Sequence, residues 1–521
     1  MRQKIKFFLF ITSFFMLNIG LANTAHDLGR LTKLYFTRDS GENYYSFTLP
    51  TATTISIFLN GLSAGYQINL LDTKGNILQA ASNTGTKWES PANPGVTGGA
   101  MVIALNADTY YVHVTPTTIT GNSLYKNQDN SYTLNLIPDN TPSMVTVAAY
   151  DSAKIGTTTF TATGINDQDT LNQAIAAVGN QGGGIILLRP GTYNIYNNVL
   201  TTFDNITLMG TGWNTILKLA SNVTLQRAGL IRSAFVEPDK NDIITHFNNQ
   251  HILHMALDGN KGSNLNFKNS YGIYGTFVLS SFEDMRIHDF PHYGFDPHRN
   301  VLSTPRFFTD RLTIKESLSD HNNIDGMTTD GCQHSIFQDN IIDANSRHGI
   351  NVCTGSTDNS YLNNVITNNG VNGITIHPGG DLSPPSNNNI IMGNILRNNK
   401  KNGIYVYRTQ NTHILNNLVT HTYSYGIHLR SSSNSVVSKN IVHNNYLEKS
   451  GRLIYMSHDK NIFSTHNLVI DNELSTSAPQ LHKYGVAEAT PDDDYNLVYR
   501  NALSGVFISL KGPHSKLGLA S

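Results

Sequence analysis

This sequence has no surplus of positive charge, few charged residues of either sign and almost no cysteine. Lys plus Arg number 36 against 37 Asp plus Glu, and the four types make up 14% of 521 residues. Without a basic excess nothing draws a polyphosphate backbone, so nucleic acid is excluded as the expected partner. Past residue 22 no apolar run approaches bilayer length, so no membrane span is expected. With Cys332 and Cys353 alone, at most one disulfide can form. Glycine, by contrast, is abundant at 42, and Asn and Thr are plentiful, a profile of turn-rich β structure. A chain this long exceeds one ordinary compact core, which calls for several domains or a repeat array.

Residues 1–22 read as a secretory signal. Arg2, Lys4 and Lys6 precede an apolar run from Phe7 to Leu21, and Gly20-Leu21-Ala22 offers small residues for cleavage. The mature protein is therefore expected to be soluble and secreted or periplasmic. Residues 23–138 carry period-2 segments such as Tyr44–Leu49, Thr54–Leu59 and Tyr110–Val114, broken by Gly, Asn and Pro. This stretch resembles the β-sandwich modules of pre-peptidase C-terminal type that are appended to secreted bacterial hydrolases. Residues 139–150 read as a linker. In 151–521 a short amphipathic helix over Asp169–Ile175 precedes Ile185-Ile186-Leu187-Leu188, as expected of a helix capping the end of a β stack.

From about residue 250 the chain repeats. A Gly followed by an apolar residue recurs at Gly272, Gly294, Gly326, Gly349, Gly373, Gly403 and Gly426, so the steps are 22, 32, 23, 24, 30 and 23 residues. A second marker keeps step with it, at Asn340, Asn364, Asn394, Asn417 and Asn440. Two independent markers with one irregular rhythm predict an all-β, right-handed parallel β-helix. Side chains alternate along a strand, so the apolar column Ile273, Phe295, Met327, Ile350, Ile374, Ile404 and Ile427 faces inward. Outward then come Tyr274, Asp296, Thr328 and Asn351 two places after the Gly, and His298, Asp330, Cys353 and His377 four places after it. Rungs lie about 4.8 Å apart, which puts His298 beside Asp330, and Tyr293 beside Asp325 and then His348. A strip of Tyr, His, Asp and Arg on one wall suits an extended acidic sugar chain; the alternative is an ordinary polar exterior. The same register sets Cys332 and Cys353 roughly 8 Å apart, beyond bridging range, so two free thiols are expected.

At Tyr293-Gly294-Phe295-Asp296-Pro297-His298 the match becomes specific. From about residue 160 to 512 the chain resembles the catalytic module of mannuronan C5-epimerases, which act on alginate. Further landmarks are Leu257-Asp258-Gly259-Asn260, Asp325-Gly326-Met327-Thr328-Thr329-Asp330, Arg347-His348-Gly349-Ile350-Asn351-Val352 and Tyr484-Gly485-Val486-Ala487-Glu488. The resemblance implies Tyr293, Asp296, His298 and Asp330 as the catalytic group. Lys268, Arg347 and His348 would contact substrate, and Arg232, Asp325 and Arg299 join them as binding candidates. Arg299 is a departure, since the family usually has an acidic or amide residue after the Asp-Pro-His triplet. The acidic loop is also missing: Gly275 to Ser281 hold no carboxylate, which leaves a structural calcium without evident ligands. The chemistry itself requires no cofactor, and a monomer is expected.

Epimerising a uronate at C5 means removing a weakly acidic proton beside a carboxylate and returning one from the opposite face. The site must neutralise that carboxylate. Lys268 and Arg347 supply charge, and a protonated Asp296 could donate a hydrogen bond. Neutral His298 is expected as base and Tyr293 as acid, with Asp330 orienting the imidazole. An alginate lyase would begin with the same proton abstraction, and a non-catalytic polysaccharide-binding β-helix would need no such cluster.

Overall fold

A computed structural model describes residues 25–60, 65–83, 100–117, 131–223, 225, 229–233, 247–264, 270–299, 308–380, 383–443, 451–477 and 482–518. The secretory signal read at 1–22 and Lys268 lie outside these residues. Among them, no helix is long and apolar enough to cross a membrane. The chain forms two compact units: Met1–Tyr193 with Thr207–Ile216 and His254–Ala256, and Asn194–Ile206 with Leu217–Leu253 and Leu257–Ser521.

In the first unit the alternating segments form a small β-sandwich. One sheet orders His26–Arg30, Asn43–Thr48, Thr109–Thr117, Gly65–Leu71 and Ile77–Asn83; the other orders Tyr35–Ser40, Ser131–Pro138, Thr53–Asn60 and Met101–Leu105. Their inner faces share a core that includes Tyr45, Phe47, Ile55, Ile57, Tyr66, Val112 and Leu134. The stretch read as a linker contributes a strand, Met144–Ala148, paired in parallel with Gly184–Leu188. Its Val147 is fully buried, which is why it does not behave as a connector. The helix spans Asp167–Gly179, longer than the expected 169–175. Its start is fixed by the Asp167 carboxylate, which accepts the Thr163 and Gly164 amides at 3.0 and 2.8 Å. Leu171, Ala174, Ile175 and Val178 make its buried face, and it packs on the strands Met144–Ala148 and Gly184–Leu188.

The second unit is the parallel β-helix. Each turn of chain gives one short strand to each of three parallel sheets, as Ile336–Gln338, Ile341–Asp343 and Ile350–Cys353 do in one turn. The register agrees with that read from the repeats. Ile273, Phe295, Met327, Ile350, Ile374, Ile404 and Ile427 stack rung on rung and are fully buried.

Both repeat markers have a steric or hydrogen-bonding cause. A Cβ on Gly294 would come within 2.4 Å of Ser319 Oγ and 2.6 Å of the Gly326 carbonyl oxygen, so the backbone approach there admits only glycine. The asparagines form an internal ladder: Asn340 Nδ2 donates to Asn364 Oδ1 at 3.0 Å, Asn364 to Asn394 at 2.9 Å, and Asn394 to Asn417 at 2.9 Å. These amides are essentially inaccessible to water, so each must find its partners inside the stack. Cys332 and Cys353 are buried free thiols.

Candidate active site

The site lies on the sheet that contains Tyr271–Gly275, Phe295–Pro297, Met327–Asp330 and Ile350–Cys353. Pairing puts Tyr274 beside Asp296, and an isolated bridge puts His298 beside Asp330. The main chain around His298 is firmly held. Its N–H donates to the Gly275 carbonyl at 2.7 Å, its carbonyl accepts from Thr276 Oγ1 at 2.9 Å, and the Arg299 N–H donates to the Asp330 carbonyl at 2.7 Å.

His298 Nδ1 lies 2.7 Å from the Arg299 carbonyl oxygen, and Nε2 lies 3.1 Å from Asp330 Oδ2. Both neighbours can only accept, so both ring nitrogens carry protons and the ring is an imidazolium. Burial opposes that charge, but the Asp330 hydrogen bond and the carboxylates of Asp296 and Asp330 outweigh it and push the ring up to about 9. This corrects the expected neutral His298. The sequence shows Asp330 as a partner but not that Nδ1 is already spent on a backbone carbonyl. Asp330 is held below the usual carboxylate range: its burial works upward, and the His298 hydrogen bond and charge prevail.

Asp296 is 3% exposed, and its Oδ1 has no hydrogen-bond partner among the described residues. Burial, partly offset by the His298 charge and reinforced by Asp330 and Asp325, pushes it up to about 8. A pKa so raised favours the protonated carboxyl at neutral pH. Tyr293 is pushed up to about 12, by burial against the opposing charge of Arg347. The Arg347 guanidinium donates to Tyr293 Oη at 3.3 Å.

Asp325 takes a different place from the one expected. Its side chain is fully buried and accepts from Arg347 Nε at 2.7 Å, from a second Arg347 nitrogen, from Thr328 Oγ1 at 3.0 Å and from the His348 amide at 2.9 Å. A saturated, inaccessible carboxylate cannot meet a sugar; it aims Arg347. Burial holds His348 down to about 4, and its Nδ1 accepts the Asn372 amide at 3.3 Å, which fixes the ring proton on Nε2 as a donor. Arg299 is 9% exposed, with its stem laid over Gly331, where a Cβ would meet Arg299 Cδ at 2.4 Å. Arg232 stands one rung below Tyr274 and is 2% exposed.

Several site residues were not singled out by their sequence pattern. Tyr271 and Tyr274 flank the cluster, with Tyr274 5.3 Å from His298 and Tyr271 5.2 Å from Tyr293 between ring centroids. Both stand in the outward columns, so their register was the available signal. His292, two places before the Gly, shares a column with Arg347 that those columns did not include. Among the described residues one group could approach metal-ligand geometry, Asp258, His288 and Asp289. Asp258 is paired with Lys218 at 2.8 Å and Asp289 with Lys261 at 3.4 Å, so ammonium groups already stand where a cation would.

This is a parallel β-helix with an acid–base cluster embedded in one wall. The family model described as right handed beta helix region matches residues 194–407 and 381–503, and the chain belongs to that family. It is similar to mannuronan C5-epimerase AlgE1 of Azotobacter vinelandii, 30% identical over 235 residues, which cover 42% of this chain and 16% of that protein. Alginate lyase 7 of the same organism is 29% identical over 206 residues, 37% of this chain and 22% of that protein. The chain thus spans only a fraction of the length of these relatives. The A-module of mannuronan C-5 epimerase AlgE4 from Azotobacter vinelandii has the same fold, with a TM-score of 0.60 at 23% identity over 71% of this chain and 100% of that module.

Proposed function

We propose that this chain is a polysaccharide-modifying isomerase that converts β-D-mannuronate to α-L-guluronate residues within alginate. The observation that carries the reading is the buried Asp296 carboxyl, its pKa raised by that burial, on the same outward wall as the His298–Asp330 pair. A neutral carboxyl there donates to the substrate carboxylate without repelling it, and Arg347 adds positive charge. The C5 proton then leaves to one face and a proton returns from the other.

His298 is the base in its deprotonated form, and Tyr293, which keeps its phenolic proton, is the acid. Asp330 holds the imidazole, and Asp325 holds Arg347. The export signal read at 1–22 supports action outside the cytoplasm. The test is incubation with polymannuronate followed by ¹H NMR: a growing guluronate signal supports the reading, and its absence ends it. β-Elimination at the same site is the second reading, favoured by the likeness to an alginate lyase. It predicts unsaturated ends detected by ultraviolet absorbance.

A further inference from the structure

Tyr293 is held both by a polar group and by aromatic rings. The polar grip is Arg347, whose Cζ lies 5.5 Å from the Tyr293 ring centroid and whose side chain is 39% exposed. The aromatic grip has two parts. The His292 ring meets Tyr293 edge-to-face, centroids 4.0 Å apart at 73°, and Tyr271 lies 4.6 Å from His292 and 5.2 Å from Tyr293. Three rings in mutual contact add aromatic packing to the hydrogen bond that Arg347 gives the phenol.

His292 Nδ1 is closed off from solvent and has no hydrogen-bond partner among the described residues. Burial and the nearby Arg347 hold the imidazole down to about 4, with Asp325 pulling the other way, so the ring is neutral at neutral pH and packs as an aromatic plate. Its column runs through Ile324 to Arg347, with the Ile324 amide donating to the His292 carbonyl at 3.0 Å and the Arg347 amide to the Ile324 carbonyl at 2.8 Å. The residue that packs Tyr293 and the residue that hydrogen-bonds it are therefore carried on one rigid ladder.

We infer that His292, with Tyr271, is a positioning residue for Tyr293: the three-ring cluster fixes the phenol so that its oxygen meets a bound sugar in a single orientation. The catalytic consequence rests on the proposed epimerase reading; the fixing of the ring does not. Small misplacements of a reacting group cost as much as about a hundredfold in rate.

Three variants and two readouts test it. His292→Ala opens the cluster, His292→Phe keeps the plate without its nitrogens, and Tyr293→Phe identifies the Tyr293 signals in tyrosine-labelled protein. On polymannuronate, His292→Ala is expected to lose roughly ten- to a hundredfold in kcat with KM unchanged and only a small fall in melting temperature, and His292→Phe to recover most of it. In NMR, ring flipping of Tyr293 should be faster in His292→Ala than in the wild type or in His292→Phe. Wild-type kcat in His292→Ala, or a loss that tracks a fall in melting temperature and a rise in KM, would overturn the inference, as would unaltered Tyr293 flipping. If the wild type itself makes neither guluronate nor unsaturated ends, the functional reading falls, and the flipping rates still decide the role of His292.

Discussion

His298 donates from both ring nitrogens, to the Arg299 carbonyl at 2.7 Å and to the Asp330 carboxylate at 3.1 Å. On the proposed epimerisation, a ring so placed must give up a proton before it can take one from C5. Its pKa near 9 then sets the working range. Between pH 6 and 8 the rate on polymannuronate should climb about tenfold per unit as the deprotonated fraction of His298 grows, flatten as Asp296 loses its proton above about 8, and fall above about 9. Asp330→Asn removes the charge that holds the proton, so its rising limb should move to lower pH. A wild-type rate that falls across this interval would make His298 the acid instead.

Asp296 gives a second pH dependence, in stability. Its folded pKa, about 8, stands above the ordinary carboxylate value of 3.8. The native state thus binds the extra proton between these limits, and this stabilising contribution is lost as pH rises through about 8. His298, also raised, acts in the same direction up to about 9. Asp296→Asn keeps the position neutral at every pH. Its melting temperature should exceed that of the wild type at pH 9 and approach it at pH 5, while activity is lost. A constant difference between the two proteins across pH would refute the buried proton.

How much of the fold and site was legible in the sequence depended on periodicity. The inward column at Phe295 and Met327 and the pairing of His298 with Asp330 came from alternation and one Gly marker. The protonation of His298 did not, because it depends on a carbonyl one residue along that no spacing reveals. Asp325 was read as a substrate contact since it stands in the outward column beside Tyr293. Its burial depends on Arg347 folding back over it, which is a rotamer fact. Residues 139–150 looked like a linker because Asp, Asn, Thr and Pro cluster at their start. The strand Met144–Ala148, just beyond that cluster, is too short to announce itself by period alone.

Asp325 and Arg347 form a half-buried pair, one partner inaccessible and the other 39% exposed. Asp325→Asn leaves a guanidinium without its fork and should cost about 2–3 kcal/mol, below the ~3–5 of a fully enclosed pair because Arg347 can turn to water. Activity should fall further than stability explains, since Tyr293 and the substrate carboxylate lose a fixed cation together. Arg347→Lys with Asp325 intact should lose activity too, because an ammonium cannot span both carboxylate oxygens. Urea unfolding paired with kcat/KM separates the two effects; equal losses in both would reduce Arg347 to a structural role.

The asparagine ladder makes stability local in a way that can be measured. Asn394 accepts the Asn364 amide and side chain, each at 2.9 Å, and donates to the Tyr361 carbonyl and to Asn417 Oδ1, also at 2.9 Å. Asn394→Ala strands the Asn364 amide and side-chain donors and the Tyr361 carbonyl at about 1–3 kcal/mol each, while Asn417 Oδ1 keeps the backbone amide of residue 394 at 2.9 Å. Stacked repeats communicate only with their neighbours. Hydrogen exchange should therefore quicken in the rungs that carry Asn364 and Asn417 and stay near wild type at Phe295 and Met327. Guluronate formation should persist at moderate temperature and fail at a lower melting point than wild type. Uniformly faster exchange along the whole stack would mean that the β-helix unfolds as one cooperative block, and that the ladder is not what ties one rung to the next.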